Sequence, residues 1–102
     1  MNDVVVMVPT RLGVDTRAAF REEAKLALER LEKAPADARL ILDLSGTERV
    51  DSSGLGALLL VQSRAAERRR QVLLRGTSEE IRFLLLMTRL DDRFVLENGL
   101  NH

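Results

Sequence analysis

Leu40-Ile41-Leu42-Asp43-Leu44, a polar loop from Ser45 to Arg49, then Val50-Asp51-Ser52-Ser53-Gly54-Leu55-Gly56 and Ala57-Leu58-Leu59-Leu60-Val61: on this stretch the reading of the whole chain turns. The first five residues are short, almost wholly apolar and followed by a loop containing Gly46, so they read as a buried strand. Beyond the loop, the apolar residues continue long enough for a helix from about Ser53 to Arg69. Leu55, Leu58 and Leu59 would share one face of it, and Ala57, Leu60 and Val61 another, so its first half needs cover on two sides. Strand, loop and helix in that order put Asp51, Ser52 and Ser53 at a helix N-terminus. Backbone N–H groups without intrahelical partners, and the positive pole of the helix, favour oxygen ligands and negative charge there.

Upstream, Val4-Val5-Val6-Met7-Val8 is a continuous β-branched run that reads as a strand buried on both faces, stopped by Pro9. Arg11 to Val14 reads as a loop, with Asp15 or Thr16 as N-cap of the next helix. From Arg17 to about Lys33 the residues Phe20, Ala24, Ala27, Leu28 and Leu31 form one helical face. Arg21, Glu22, Lys25, Glu29 and Lys33 form the other, and Pro35 prevents continuation. Ala38 or Arg39 opens the strand that runs through Leu44.

Downstream, Gln71-Val72-Leu73-Leu74-Arg75 reads as a strand ended by Gly76. Thr77-Ser78-Glu79-Glu80 fits a capping box for a third helix, which carries Ile81, Leu84 and Leu85 on one face and ends near Thr88-Arg89. A short last strand is expected within Asp92 to Leu96, followed by a polar tail. The alternation predicts an α/β fold with about four strands in a largely parallel or mixed sheet packed against helices. One domain over 1–102, with its core in 4–97, suits this length.

Composition narrows the function. Sixteen basic and 16 acidic residues leave a formal charge of zero, and Trp and Tyr are absent. Neither a phosphate-binding surface nor a base-stacking platform is expected, so direct nucleic-acid binding is not. The chain has no cysteine, no apolar run of about 20 residues and no signal-peptide layout, which predicts a cytoplasmic protein with no membrane partner. His102, the only histidine, reads as a terminal or tag residue.

A catalytic serine at 52 or 53 would need a base, and no internal histidine supplies one. G-x-S-x-G is not matched around these serines, and no Gly-Lys pair exists for a P-loop. Catalysis, a metal and a cofactor are therefore not expected. The cluster Arg64, Arg68, Arg69 and Arg70 could form an acidic-partner or nucleic-acid patch. With Glu67 interleaved it reads better as a solvated helix end complementing the helix dipole. The serines themselves admit two readings: a plain N-cap, or a functional helix terminus. Gly54 and Gly56 each cost a helix about 1 kcal/mol relative to alanine, which points to another surface approaching the backbone closely.

Asp51-Ser52-Ser53-Gly54-Leu55-Gly56, with the preceding strand and loop, resembles the signature of STAS domains, and among them the bacterial anti-sigma factor antagonists. The similarity extends through Val72-Leu73-Leu74 and Met87-Thr88-Arg89-Leu90-Asp91. The resemblance implies that Ser52 is phosphorylated by a partner serine protein kinase that is also an anti-sigma factor. It also implies that a serine phosphatase resets the protein, and that Asp51, Ser53, Gly54, Leu55 and Gly56 belong to the docking surface. The chain departs from the family pattern at its first turn, Thr10-Arg11-Leu12-Gly13, where one strand precedes instead of a hairpin and Gly13 stands for an aspartate. It also stops soon after Leu96, so a minimal form of the domain is expected. Two functions follow as expectations: a partner-switching regulator, or a constitutive STAS subunit of a transporter or multiprotein assembly.

Overall fold

Short apolar strands joined through helices can pair side by side only in parallel, because a helix returns the chain to the end where the strand began. A computed structural model describing residues 2–97 has this arrangement; His102 and the polar tail beyond Glu97 lie outside those residues. The elements are β1 (Val4–Met7), β2 (Arg11–Leu12), α1 (Arg17–Leu31), β3 (Leu40–Asp43), β4 (Arg49–Val50), α2 (Ser52–Glu67), β5 (Val72–Arg75), α3 (Glu79–Met87) and β6 (Val95–Leu96), with a 3-10 turn at Asp91–Arg93. The main sheet has the order β1-β3-β5-β6, every pair parallel. A second, two-stranded parallel sheet joins β2 to β4.

One register decides which side chains form the core. Val6 pairs with Leu42, Leu42 with Leu74, and Leu74 with Leu96, so the even-numbered residues of all four strands face one way. They meet Phe20, Ala24 and Leu28 of α1, Ala57, Leu58 and Val61 of α2, and Ile81 and Leu85 of α3 in one cluster. All three helices therefore lie on the same side of the sheet. The expectation that β1 is buried on both faces is wrong. Val6 is 5% exposed, but Val5 and Met7 are 45% and 60% exposed: their side of the sheet carries no helix among the described residues, and β1, at the edge, lacks the second neighbouring strand that helps bury Ile41 and Leu73 on the same face. On that side ion pairs cross the strand ends, Asp3 to Arg39 at 3.4 Å and Arg75 to Glu97 at 3.0 Å. The Arg39 backbone N–H, 2.8 Å from Asp3, holds that carboxyl below its ordinary pKa. Ser45, through its side chain and its backbone N–H, does the same for Asp43.

The five apolar residues expected on the inner face of α1 are all buried. Thr16 is its N-cap residue, without a side-chain bond to the helix. Its hydroxyl instead accepts from Gly13 N at 3.0 Å and donates to the Arg11 carbonyl at 2.7 Å, closing the turn after β2. Helix α3 is capped by Ser78, whose Oγ accepts from Ile81 N at 3.1 Å, and not by Thr77 as the capping-box pattern suggested. The 3-10 turn before β6 was likewise not expected from the sequence.

The arginine cluster does not behave as a uniformly solvated helix end. Arg68 Nε meets Glu32 at 3.1 Å. Arg70 reaches across to the end of α1, where its guanidinium donates to the carbonyls of Leu31 at 2.6 Å, Ala34 at 3.3 Å, Ala38 at 3.2 Å and also Pro35. It therefore ties the last residue of α1 to the loop that follows, at the negative pole of that helix, where Leu31 and Pro35 also accept from the backbone N–H groups of Ala34 and Ala38. To reach this position the chain turns at Arg69, which has φ 60° without being glycine. Arg70→Ala is expected to cost about 2–3 kcal/mol, since charged hydrogen bonds are each worth more than neutral ones. Arg70→Lys should recover only part of it, lacking the planar fork. Urea unfolding checks this; equal stability of all three proteins would refute the role.

Candidate functional site: the start of helix α2

The junction from β4 to α2 is held from both sides. Glu48 N donates to the Thr10 carbonyl at 2.7 Å, and Asp51 N to the Leu12 carbonyl at 3.1 Å. Buried Thr47 donates to the Val8 and Pro9 carbonyls at 3.2 and 3.0 Å. Sequence reading took Arg11–Val14 and Ser45–Arg49 as plain loops. Two-residue strands are too short to show any period, so β2 and β4 left no signal.

Asp51 caps α2. Its backbone is extended, φ −90° and ψ −176°, and Oδ1 accepts from Gly54 N at 2.8 Å. Of the two readings of the serines, the plain N-cap is thereby ruled out. Ser52 is the first residue of the helix, one position earlier than expected, and Ser53 the second. Ser52 is exposed and Ser53 half-buried. Capping is done by the carboxylate, so the hydroxyl of Ser52 stands at the positive end of α2 with no part in holding the helix.

The two glycines, indistinguishable in sequence, have different reasons. Gly54 is buried, and a Cβ there would lie 2.7 Å from the Leu12 carbonyl carbon and closer still to its oxygen. The surface that approaches it is the chain's own β2. A Cβ on Gly56 would meet nothing within 4 Å, and the residue is exposed. Ser52, Gly56, Leu59 and Ser63 follow one line along the helix, each exposed or half-buried; Leu55 sits beside that line, half-buried against the core. Gly56→Ala is expected to stabilise the isolated domain by about 0.5–1 kcal/mol, since alanine adds helix propensity without a clash. A thermal midpoint below wild type would contradict this.

Gly13, a departure from the family pattern, lies directly against this site. A Cβ there would be 2.8 Å from Cγ of Asp51 and would overlap its carboxylate. The space an aspartate would need is thus occupied by the cap itself. No single-sequence signal reveals this, because the two positions are 38 residues apart. Beyond β4, a shallow cleft of about 230 Å³ between Glu48, Arg49 and Val50 and the first turns of α3 extends the surface.

Among the described residues no group of three or more His, Cys, Asp or Glu is placed to hold a metal ion. Likewise, no helix is long and apolar enough to cross a membrane.

A parallel sheet with helices on one face and an exposed, carboxylate-capped helix start defines an α/β domain whose marked feature is a surface. The chain belongs to the STAS domain family: the family model described as "Mlab, STAS domain" matches residues 1–97. No curated protein matches the chain. The crystal structure of TM1081 from Thermotoga maritima, provisionally named an anti-sigma factor antagonist, is similar over 90% of this chain and 77% of that one, at 23% identity and a TM-score of 0.70. The NMR structure of TM1081 gives 22% identity and a TM-score of 0.71, over 90% of this chain and 70% of that one. At these identities the likeness establishes the fold.

Proposed function

We propose that this protein is a partner-switching regulator whose switch is the hydroxyl of Ser52. Unphosphorylated, it binds an anti-sigma factor that is also a serine protein kinase; phosphorylated, it is released until a serine phosphatase restores it. Its own chemistry is binding. The observation that carries this reading is the division of labour at α2: Asp51 caps the helix, and Ser52 is exposed and left over. A structural serine would have been the cap.

The docking surface comprises Asp51, Ser52, Ser53, Leu55 and Gly56, with Gly54 fixing the helix start from beneath. A phosphate on Ser52 adds about −1.5 to −2 charges at a helix N-terminus, where N–H groups and the dipole tolerate it. It also lands next to the Asp51 carboxylate, so a partner fitted to a neutral hydroxyl meets concentrated negative charge. The same reading gives Gly56 a use, since its missing side chain lets a partner approach the helix backbone. The direct test is incubation with the candidate kinase and ATP, followed by site mapping. Normal phosphate incorporation into Ser52→Ala would defeat the proposal.

A second reading, a fixed STAS subunit of a transporter or other assembly, draws on Gly13, because the first turn has no room for the aspartate that the switching antagonists carry. It requires a partner that binds the Ser52→Asp protein as well as the wild type.

A further inference from the structure

Helices α1 and α2 leave between them a trough of about 390 Å³, whose floor is Ala24, Leu28 and Val61, all buried. Its walls carry four cations, Arg21 and Lys25 from α1 and Arg64 and Arg68 from α2, against one acid, Glu22. Arg68 is matched by Glu32 at 3.1 Å, whereas among the described residues Arg21, Lys25 and Arg64 enter no ion pair. Each helix sets its two cations four residues apart, the spacing at which like charges repel. Both repelling pairs face the same trough on a chain whose formal charge is zero. Among the described residues only Arg68 of the four has a charged partner, which leaves three cations on the walls uncompensated.

The shape narrows what could. Arg21, Lys25 and Arg64 are exposed, so the walls stand open and cannot enclose a small molecule, which needs most of its surface buried. From Arg21 to Leu28, and from Leu60 to Arg68, the lining runs for about 10–12 Å along each helix, the span of several residues of chain. We propose that the trough binds an acidic segment of a partner protein, its carboxylates on Arg21, Lys25 and Arg64 and one apolar side chain on the Ala24–Leu28–Val61 floor. Charge selects and orients such a segment, and the apolar floor supplies the contact that excludes water. The trough starts at Leu60, about 12 Å along α2 from Ser52, so the inference does not rest on phosphorylation.

The test is an NMR titration of the ¹⁵N-labelled full chain with a blocked peptide of roughly eight residues, glutamates around one leucine, which spans about 12 Å when helical. Amide shifts should be confined to residues 18–28 and 60–68. Affinity should fall about tenfold between about 50 and 300 mM salt, as screening of exposed charges requires. Lys25→Glu and Arg64→Glu should each abolish binding with the circular dichroism spectrum and thermal midpoint retained; Lys25→Glu, on an exposed side chain, keeps the test open if the other variant fails to fold. The proposal is overturned if no shifts occur, if they map elsewhere, or if the glutamine version of the peptide binds equally well. Decanoate and pure phosphatidylglycerol vesicles should bind more weakly than the peptide. Tighter binding by either would overturn the assignment to a protein segment.

Discussion

Ser52→Asp, or full phosphorylation of Ser52, is expected to weaken binding to the proposed partner kinase more than a hundredfold while moving the thermal midpoint by no more than about 2 °C. The first half follows from charge placed in an interface. Removing about 3 kcal/mol of binding energy gives more than two powers of ten in affinity. A new anion beside Asp51, desolvated against a surface shaped for a hydroxyl, reaches that magnitude readily. The second half follows from the geometry of the helix start. Ser52 is exposed and does not cap α2, and negative charge in a first helical turn is favourable in its own right. A carboxylate there leaves the fold intact and changes only what can dock. Calorimetric titration against the partner, beside a thermal melt of each protein, separates the two effects. Binding within threefold of wild type would sink the switching model; a large fall in stability would show that Ser52 is structural.

Gly54→Ala should be the most damaging single methyl group that can be added near the site. Helix propensity alone predicts a gain of about 1 kcal/mol. Against that stands the Leu12 carbonyl, which occupies the position of the new Cβ and belongs to backbone that cannot rotate away. Overpacking of a rigid contact costs about 3 kcal/mol or somewhat more, so the net loss is about 2–3 kcal/mol and the thermal midpoint should fall by about 10–20 °C. The strain falls where Asp51 N bonds the Leu12 carbonyl, so the helix start must move relative to the β2 turn. Partner binding should weaken as well, in contrast to Ser52→Ala, which leaves the backbone alone. Set beside the stabilising Gly56→Ala, this gives opposite signs for one substitution two residues apart. A Gly54→Ala midpoint within about 2 °C of wild type would refute the packing account.

Gly56→Ala also isolates the partner's share. Stability of the free domain should rise, so any loss of affinity in that variant comes from the added methyl group at the proposed interface. Few positions in the chain separate folding from docking so cleanly.

Helix α1 was legible because Phe20, Ala24, Ala27, Leu28 and Leu31 repeat at 3.6 residues, a period only a helix can bury. The faces of β1 were not. Val4 to Val8 is apolar at odd and even positions alike, so its composition cannot distinguish an edge strand from a central one. The parallel order β1-β3-β5-β6 settles that by leaving β1 with one neighbour. Arg70 shows the same limit for charge. Nothing local distinguishes it from Arg69, and only the approach of α1 gives its guanidinium four carbonyls to bind.

By itself the sequence determined that the chain is an α/β domain with a helix starting at the Asp51-Ser52-Ser53 run, because period and turn residues act over a few positions and are written locally. Composition likewise left the chain without a cysteine, an internal histidine or a P-loop lysine. Only the tertiary structure decided that Asp51 is the cap and Ser52 is left over, that Gly54 makes room for Leu12 and Gly56 for nothing in this chain, and that Gly13 lies against the Asp51 carboxylate. Those assignments depend on β2 meeting β4 and the start of α2 across almost forty residues of chain, and contacts at that separation have no period to read.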